Sequence, residues 1–212
     1  MDKVDATDPL SLVPVTNLQE FFRDSVDAAM ASNHVVVDSD VAHYVVNLLT
    51  LAARSEYLYE QAEGSYAEKP LALMLAEAAQ AGNAGERNLA LQRLGDVALF
   101  TAGFMAEALH RRSVGIGYYV NMGGGAYRTL AAKIRGTARG QAMSVLFMEL
   151  AAHFQDLVDV LHEVRDSARG CRDDDILRLY ETWLGTGSRR AGRLLRQAGV
   201  EPNPQARTGY SH

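Results

Sequence analysis

Cysteine is nearly absent from this chain: Cys171 is the single thiol in 212 residues. One thiol closes no internal disulfide, and without a second there is no Cys-x-x-Cys pair for zinc or dithiol redox chemistry. That usage suits a reducing compartment. Cys171 itself lies among arginines and aspartates (Arg169, Arg172, Asp173 to Asp175) and reads as incidental. Proline is scarce, with five residues, so long helices are rarely broken. No apolar run reaches the roughly 20 residues of a membrane span. The most apolar stretch, Leu94 to Leu109, is shorter and carries Asp96. The first fifteen residues hold Asp2, Asp5 and Asp8 and lack the basic-then-apolar order of a signal peptide. These absences predict a cytoplasmic protein with no membrane insertion. Positive charge is not in excess either: 21 Lys and Arg face 26 Asp and Glu, for a net charge of −5. Chain-wide attraction to phosphate backbones is therefore excluded, and nucleic acid could meet only a local basic face.

What is present is helical periodicity. The hydrophobic fraction of 48% is that of a globular protein, and the length suits one domain. The expected fold is all-α: a single-domain helical bundle of about six to eight helices joined by short loops, without repeats. It spans 16–200, after a flexible lead at 1–15 broken by Pro9 and Pro14 and before a disordered tail at 201–212. Asn17 and Glu20 form a capping box for a first helix that fades at Ser32-Asn33 and carries Phe21, Phe22, Val26 and Met30. His34 to Val37 reads as an extended connector, or as a strand paired across a dimer axis. Further helices are predicted over 39–60, 71–80, 86–112, 126–135, 141–167, 173–184 and 189–197. The clearest stripe is Leu146, Leu150, Phe154, Leu157, Leu161 and Val164.

Asp96 is the first candidate functional residue, because apolar neighbours flank it on both sides. A buried carboxylate needs a partner. Glu107 follows three turns later on nearly the same face, and two carboxylates so placed can hold a metal or a basic ligand. The plainer expectation is a salt bridge from Asp96 to Arg93 or Arg54. Glu149 and His153, four apart on one helix with Asp156 nearby, could reach one cation. The two Glu-x-x-His motifs of a carboxylate-bridged di-iron bundle are not both there. Asp159 and His162 are expected on the solvated face of the same helix.

A polar stripe of Asp40, His43, Asn47, Thr50, Arg54 and Tyr57 follows helical spacing. A solvated face is the plainer expectation, but hydrogen-bonding residues in place of the usual Lys and Glu also suit a pocket or subunit interface. Between Gly115 and Tyr127 the chain is rich in Gly and Tyr. The run Gly123-Gly124-Gly125 ahead of a helix, beside Tyr119, could offer backbone N–H groups to an anion. It is neither a Walker loop nor a dinucleotide fingerprint, and close helix packing is the alternative. The last helix carries Arg189, Arg190, Arg193 and Arg196, with no acid between Glu181 and Glu201. Arg189, Arg193 and Arg196 share a face that could meet an anionic partner.

No nucleophile, base and orienting group assemble from the sequence, and no cofactor is indicated. The expected function is an interaction or regulatory module acting as a homodimer, its partner a second copy or another protein. The alternatives are a small-molecule- or metal-binding helical protein, enzymatic or not, with a site inside the bundle, and a nucleic-acid binder acting through the arginine helix.

Overall fold

A computed structural model describes residues 18–53, 69–105, 115–136, 138–169 and 176–202. The described residues form helices and no strand, which bears out the all-α class. In chain order the helices are α1 (Leu18–Asn33), α2 (Ser39–Ala53), α3 (Leu71–Gln80), α4 (Ala84–Phe104), α5 (Ile116–Lys133), α6 (Ala138–Ala152), α7 (Phe154–Arg169), α8 (Ile176–Thr186) and α9 (Arg189–Gln197). None is long and apolar enough to cross a membrane. The lead at 1–15 lies outside the described residues, as do the predicted helix ends at 54–60 and 106–112. Of the expected tail only Glu201 and Pro202 are described.

Local chemistry accounts for several helix ends. Asn83 caps α4, its side-chain oxygen accepting from Glu86 N at 2.9 Å. Ser188 caps α9 in the same way, accepting from Ala191 N at 3.0 Å. The C-terminus of α1 closes with Val35 N donating to Met30 O (3.0 Å) and His34 N to Ala31 O (3.3 Å). This paired closure needs a left-handed residue, and His34 supplies it at φ 54°. The segment after it is the expected extended connector, with Val36 exposed and no strand formed.

The long helix predicted over 141–167 is two helices, α6 and α7, meeting at His153. The hydrogen-bond ladder continues through the junction, with His153 N on Glu149 O and Leu157 N on His153 O, both at 2.9 Å. The apolar stripe crosses it unbroken, and Leu150, Phe154, Leu157, Leu161 and Val164 are all buried. This split is why the described helices outnumber the expected range.

The larger correction concerns the glycine-rich segment. The sequence suggests a helix only from Ala126, whereas α5 begins at Ile116 and contains Gly123, Gly124 and Gly125 in its middle. Glycine costs about 1 kcal/mol in a helix relative to alanine, and tertiary packing offsets this. A Cβ at Gly123 would lie 2.3 Å from Phe154 Cζ and 2.7 Å from Ala98 Cβ. Likewise, a Cβ on Gly95 of α4 would lie 2.3 Å from Tyr127 Cε1. Bare backbone at these two positions lets α4, α5 and the start of α7 approach closely.

α4 is central, packing against α3, α5 and α7. Leu94 through Leu99 are buried without interruption. One large apolar cluster runs from α1 to α7. A small separate cluster of Trp183, Ala191 and Leu195, with Leu179, Tyr180, Leu184 and Val200 against it, ties α8 to α9.

Candidate functional site

Asp96 is buried, as its apolar flanks predict, and among the described residues its partners are tyrosines rather than Arg93, while Arg54 lies outside those residues. Asp96 Oδ1 accepts from Tyr44 Oη at 2.6 Å and from Tyr127 Oη at 2.7 Å. Tyr44 comes from α2 and Tyr127 from α5, so one carboxylate oxygen joins three helices. Gln92, one turn before Asp96 on α4, donates from Nε2 to Tyr44 Oη at 3.1 Å. Phe147 of α6 closes the group. Its ring centroid lies 5.5 Å from that of Tyr127 and 5.7 Å from that of Tyr44.

Burial dominates the electrostatics here. It pushes the Asp96 carboxyl up to about 6, although both tyrosine hydroxyls favour the ionised form and pull it down. Burial, and then the neighbouring carboxylate, raises both tyrosines well above their ordinary range. They therefore remain protonated donors whichever form Asp96 takes.

Beside this network lies an open cleft of about 590 Å³ between α4, α5 and α6. Leu89, Leu130, Ile134, Met143 and Phe147 supply its apolar lining, and Asn88, Gln92 and Lys133 its polar side chains. Gly136, beyond the end of α5, and Gly140, in the first turn of α6, lie at its margin. Gln92 and Phe147 belong to both the cleft wall and the Asp96 network. Among the described residues the lining contains no carboxylate, imidazole, thiol or hydroxyl.

The other sequence candidates disperse. Glu107 and Arg54 lie outside the described residues, as do Tyr57, Cys171 and His110, which completes the chain's single Glu-x-x-His with Glu107. On α2, His43 is exposed, while Asn47 is half-buried and accepts from Gln19 of α1 at 3.1 Å. Thr50 is buried and donates to Val46 O at 2.8 Å. That stripe thus divides between solvent and helix packing. Tyr119 is buried in the main core. Gly123, Gly124 and Gly125 lie within a helix, whose interior N–H groups are bonded along the ladder and do not face an anion.

Glu149 and His153 do not converge on one cation. Glu149 Oε1 accepts from Asp38 N at 2.7 Å, and His153 Nδ1 lies 3.1 Å from Asp156 Oδ2. Among the described residues no three His, Cys, Asp or Glu side chains are grouped to hold a metal ion. The expectation that Asp159 and His162 are solvated is overturned: both are buried. His162 Nε2 lies 2.9 Å from Ala102 O, so that nitrogen carries the proton. The α7 face on which they lie is covered by α9 and α4.

Asp159 belongs to an acidic ladder on α7, made of Asp156, Asp159, Glu163 and Asp166, that receives the arginine helix. Asp159 accepts from Ser188 Oγ (2.8 and 2.9 Å), Arg190 N (3.1 Å) and Gln155 Nε2 (2.9 Å). Burial raises its pKa, against the pull of these donors. Arg190 Nη2 donates to Asp166 Oδ2 at 2.5 Å. Arg193 donates to Ser32 O at 2.6 Å, and to Asn33 Oδ1 and Glu163 Oε2, each at 3.3 Å. A guanidinium at the last carbonyls of α1 also complements that helix's dipole. Arg196 faces Glu201 at 3.5 Å, and Arg189 reaches only to 3.9 Å from Asp156. The acidic partner of this helix is thus largely α7 of the same chain.

Sequence reasoning singled out Asp96 but missed Tyr44, Gln92, Tyr127 and Lys133. The spacing of Gln92 and Asp96, four apart on one helix face, is the one local signal for them. No family model, curated protein or solved structure matches the chain.

Proposed function

We propose that this chain is a small-molecule-binding helical protein whose cleft between α4, α5 and α6 takes a ligand with an apolar body. The observation that carries this reading is the double role of Gln92. It lines the cleft and also donates to the Tyr44–Asp96–Tyr127 network. The cleft volume falls within the roughly 300–1,000 Å³ typical of ligand sites, and apolar walls with a few polar groups beside a perturbed carboxyl are the usual make-up of one. A ligand that competes for the Gln92 amide alters the hydrogen bond to Tyr44. Occupancy is thereby coupled to the contact between α2 and α4, which gives the protein a regulatory character. Binding is favoured over turnover because the described residues of the cleft lining offer no acid, imidazole, thiol or hydroxyl. The single thiol supports a reducing, cytoplasmic setting.

The test is a titration with phenylnaphthylamine, a neutral fluorophore that brightens in apolar surroundings. Saturable binding of one molecule per chain is expected. It should be lost in Met143→Trp, which fills the cleft, with circular dichroism and the unfolding midpoint preserved. Absence of saturable binding, or full binding in Met143→Trp, would refute the reading.

Homodimer formation is a second, compatible reading. Leu73 (54%), Leu89 (68%) and Val145 (67%) are large apolar side chains left exposed. Light scattering over a concentration series should show a rise from the 23.1 kDa chain mass towards twice that value. A mass that stays monomeric at high concentration would dismiss it.

A further inference from the structure

We infer that the ligand of this cleft is an amphipathic anion, with an apolar body lying on Leu130, Ile134, Met143 and Phe147 and a negatively charged head held at the rim by Lys133. The inference rests on the cleft reading above and adds the chemistry of the ligand.

Charge complementarity carries it. Among the described residues, Lys133 is the one ionisable side chain in the cleft lining, in a chain whose overall charge is −5. Arg135, just beyond Lys133, is engaged within the fold, donating to Ser144 Oγ at 3.2 Å, and Arg190 and Arg193 of α9 pair with the α7 acids. No ion pair among the described residues engages Lys133, which extends from the last turn of α5. The opposite side of the cleft begins at Gly85 and Asn88, in the opening turns of α4. A long helix carries partial positive charge at that end. Glu86, the acid of the same turn, does not line the cleft, and its Oε2 accepts from Gly82 N at 3.3 Å. The one formal charge that the described residues place at the rim is therefore positive, while the floor is apolar. A wholly ionic ligand would desolvate against that floor without compensation, and a cationic amphiphile would place its head against Lys133.

Because Lys133 is exposed, the head stays partly hydrated and the ion pair contributes a modest, salt-sensitive preference. The experiment displaces phenylnaphthylamine with decanoate, decanol and decyltrimethylammonium, at low and high salt, from the wild type, Lys133→Gln and Lys133→Arg. Decanoate should bind about threefold to fivefold more tightly than decanol to the wild type, and decyltrimethylammonium less tightly than either. The decanoate advantage should vanish in Lys133→Gln, persist in Lys133→Arg and shrink in high salt, while decanol binds all three proteins equally. If decanol displaces the probe and decanoate binds no more tightly, the anionic head is refuted and the cleft reading stands. A decanoate preference that survives Lys133→Gln refutes the role of Lys133. Failure of the probe itself to bind overturns the cleft reading and this inference with it.

Discussion

Raising the pH from about 4 to about 7 should weaken this fold, and Asp96→Asn should remove the part of that loss that comes from Asp96. The carboxyl is pushed from 3.8 to about 6 in the folded protein. Its folded pKa thus lies above its unfolded one, so between these values the native state binds more protons than the unfolded chain. Stability is then fully present below pH 3.8 and is lost as the pH rises through about 6. A gap of about two pH units corresponds to about 3 kcal/mol at pH 8. The amide of Asn carries no charge and keeps an oxygen for the hydroxyls of Tyr44 and Tyr127. The two proteins should therefore be nearly equal in stability at pH 4, with Asp96→Asn about 2–3 kcal/mol more stable at pH 8. Asp159 is also raised by burial and pulls stability in the same direction, but it is common to both proteins and cancels in the difference. Urea unfolding from pH 4 to pH 8 measures this difference. A difference independent of pH, or one that favours the wild type as the pH rises, would refute the argument. Tyr44→Phe supplies an independent arm. Removing a donor that favours the ionised carboxylate should move the Asp96 transition to higher pH, and an unmoved transition would show that the tyrosine hydroxyl does not act on it.

Gly123→Ala forces a Cβ into Phe154 and Ala98 and should cost about 1–3 kcal/mol. Gly125→Ala, where a Cβ meets nothing within 4 Å, should gain about 0.5–1 kcal/mol; denaturant midpoints of the pair test the packing account, and equal losses would contradict it. His34→Gly relieves a left-handed residue at φ 54° and should raise stability by about 1 kcal/mol, read as a higher melting temperature. The Arg190 side chain is 10% exposed and pairs with Asp166, so Arg190→Ala should cost about 3 kcal/mol or more. Arg189, 76% exposed, should change stability by less than about 1 kcal/mol on the same substitution. Equal losses in the two arginine variants would show that α9 is not held through the buried pair.

The fold class was legible because helix formation leaves a local record. Few prolines and a stripe such as Leu150–Phe154–Leu157–Leu161–Val164 can both be read within a few turns of chain. The burial of Asp96 was legible for the same reason, since its flanks are apolar. Its partners were not, because Tyr44 lies 52 positions away and Tyr127 31, on helices whose facing no local pattern records. Gly123 to Gly125 misled in the opposite direction. Intrinsic propensity registers what glycine costs a helix, whereas its use here lies in the space that Phe154 and Ala98 occupy. The arginine helix showed its charge in sequence, and the three-four-three spacing of Asp156, Asp159, Glu163 and Asp166 was equally readable. Only the tertiary structure decided that these two faces meet and that the cleft opens beside Gln92. Periodicity is a property of one helix, whereas pairing depends on which helices the whole core brings together.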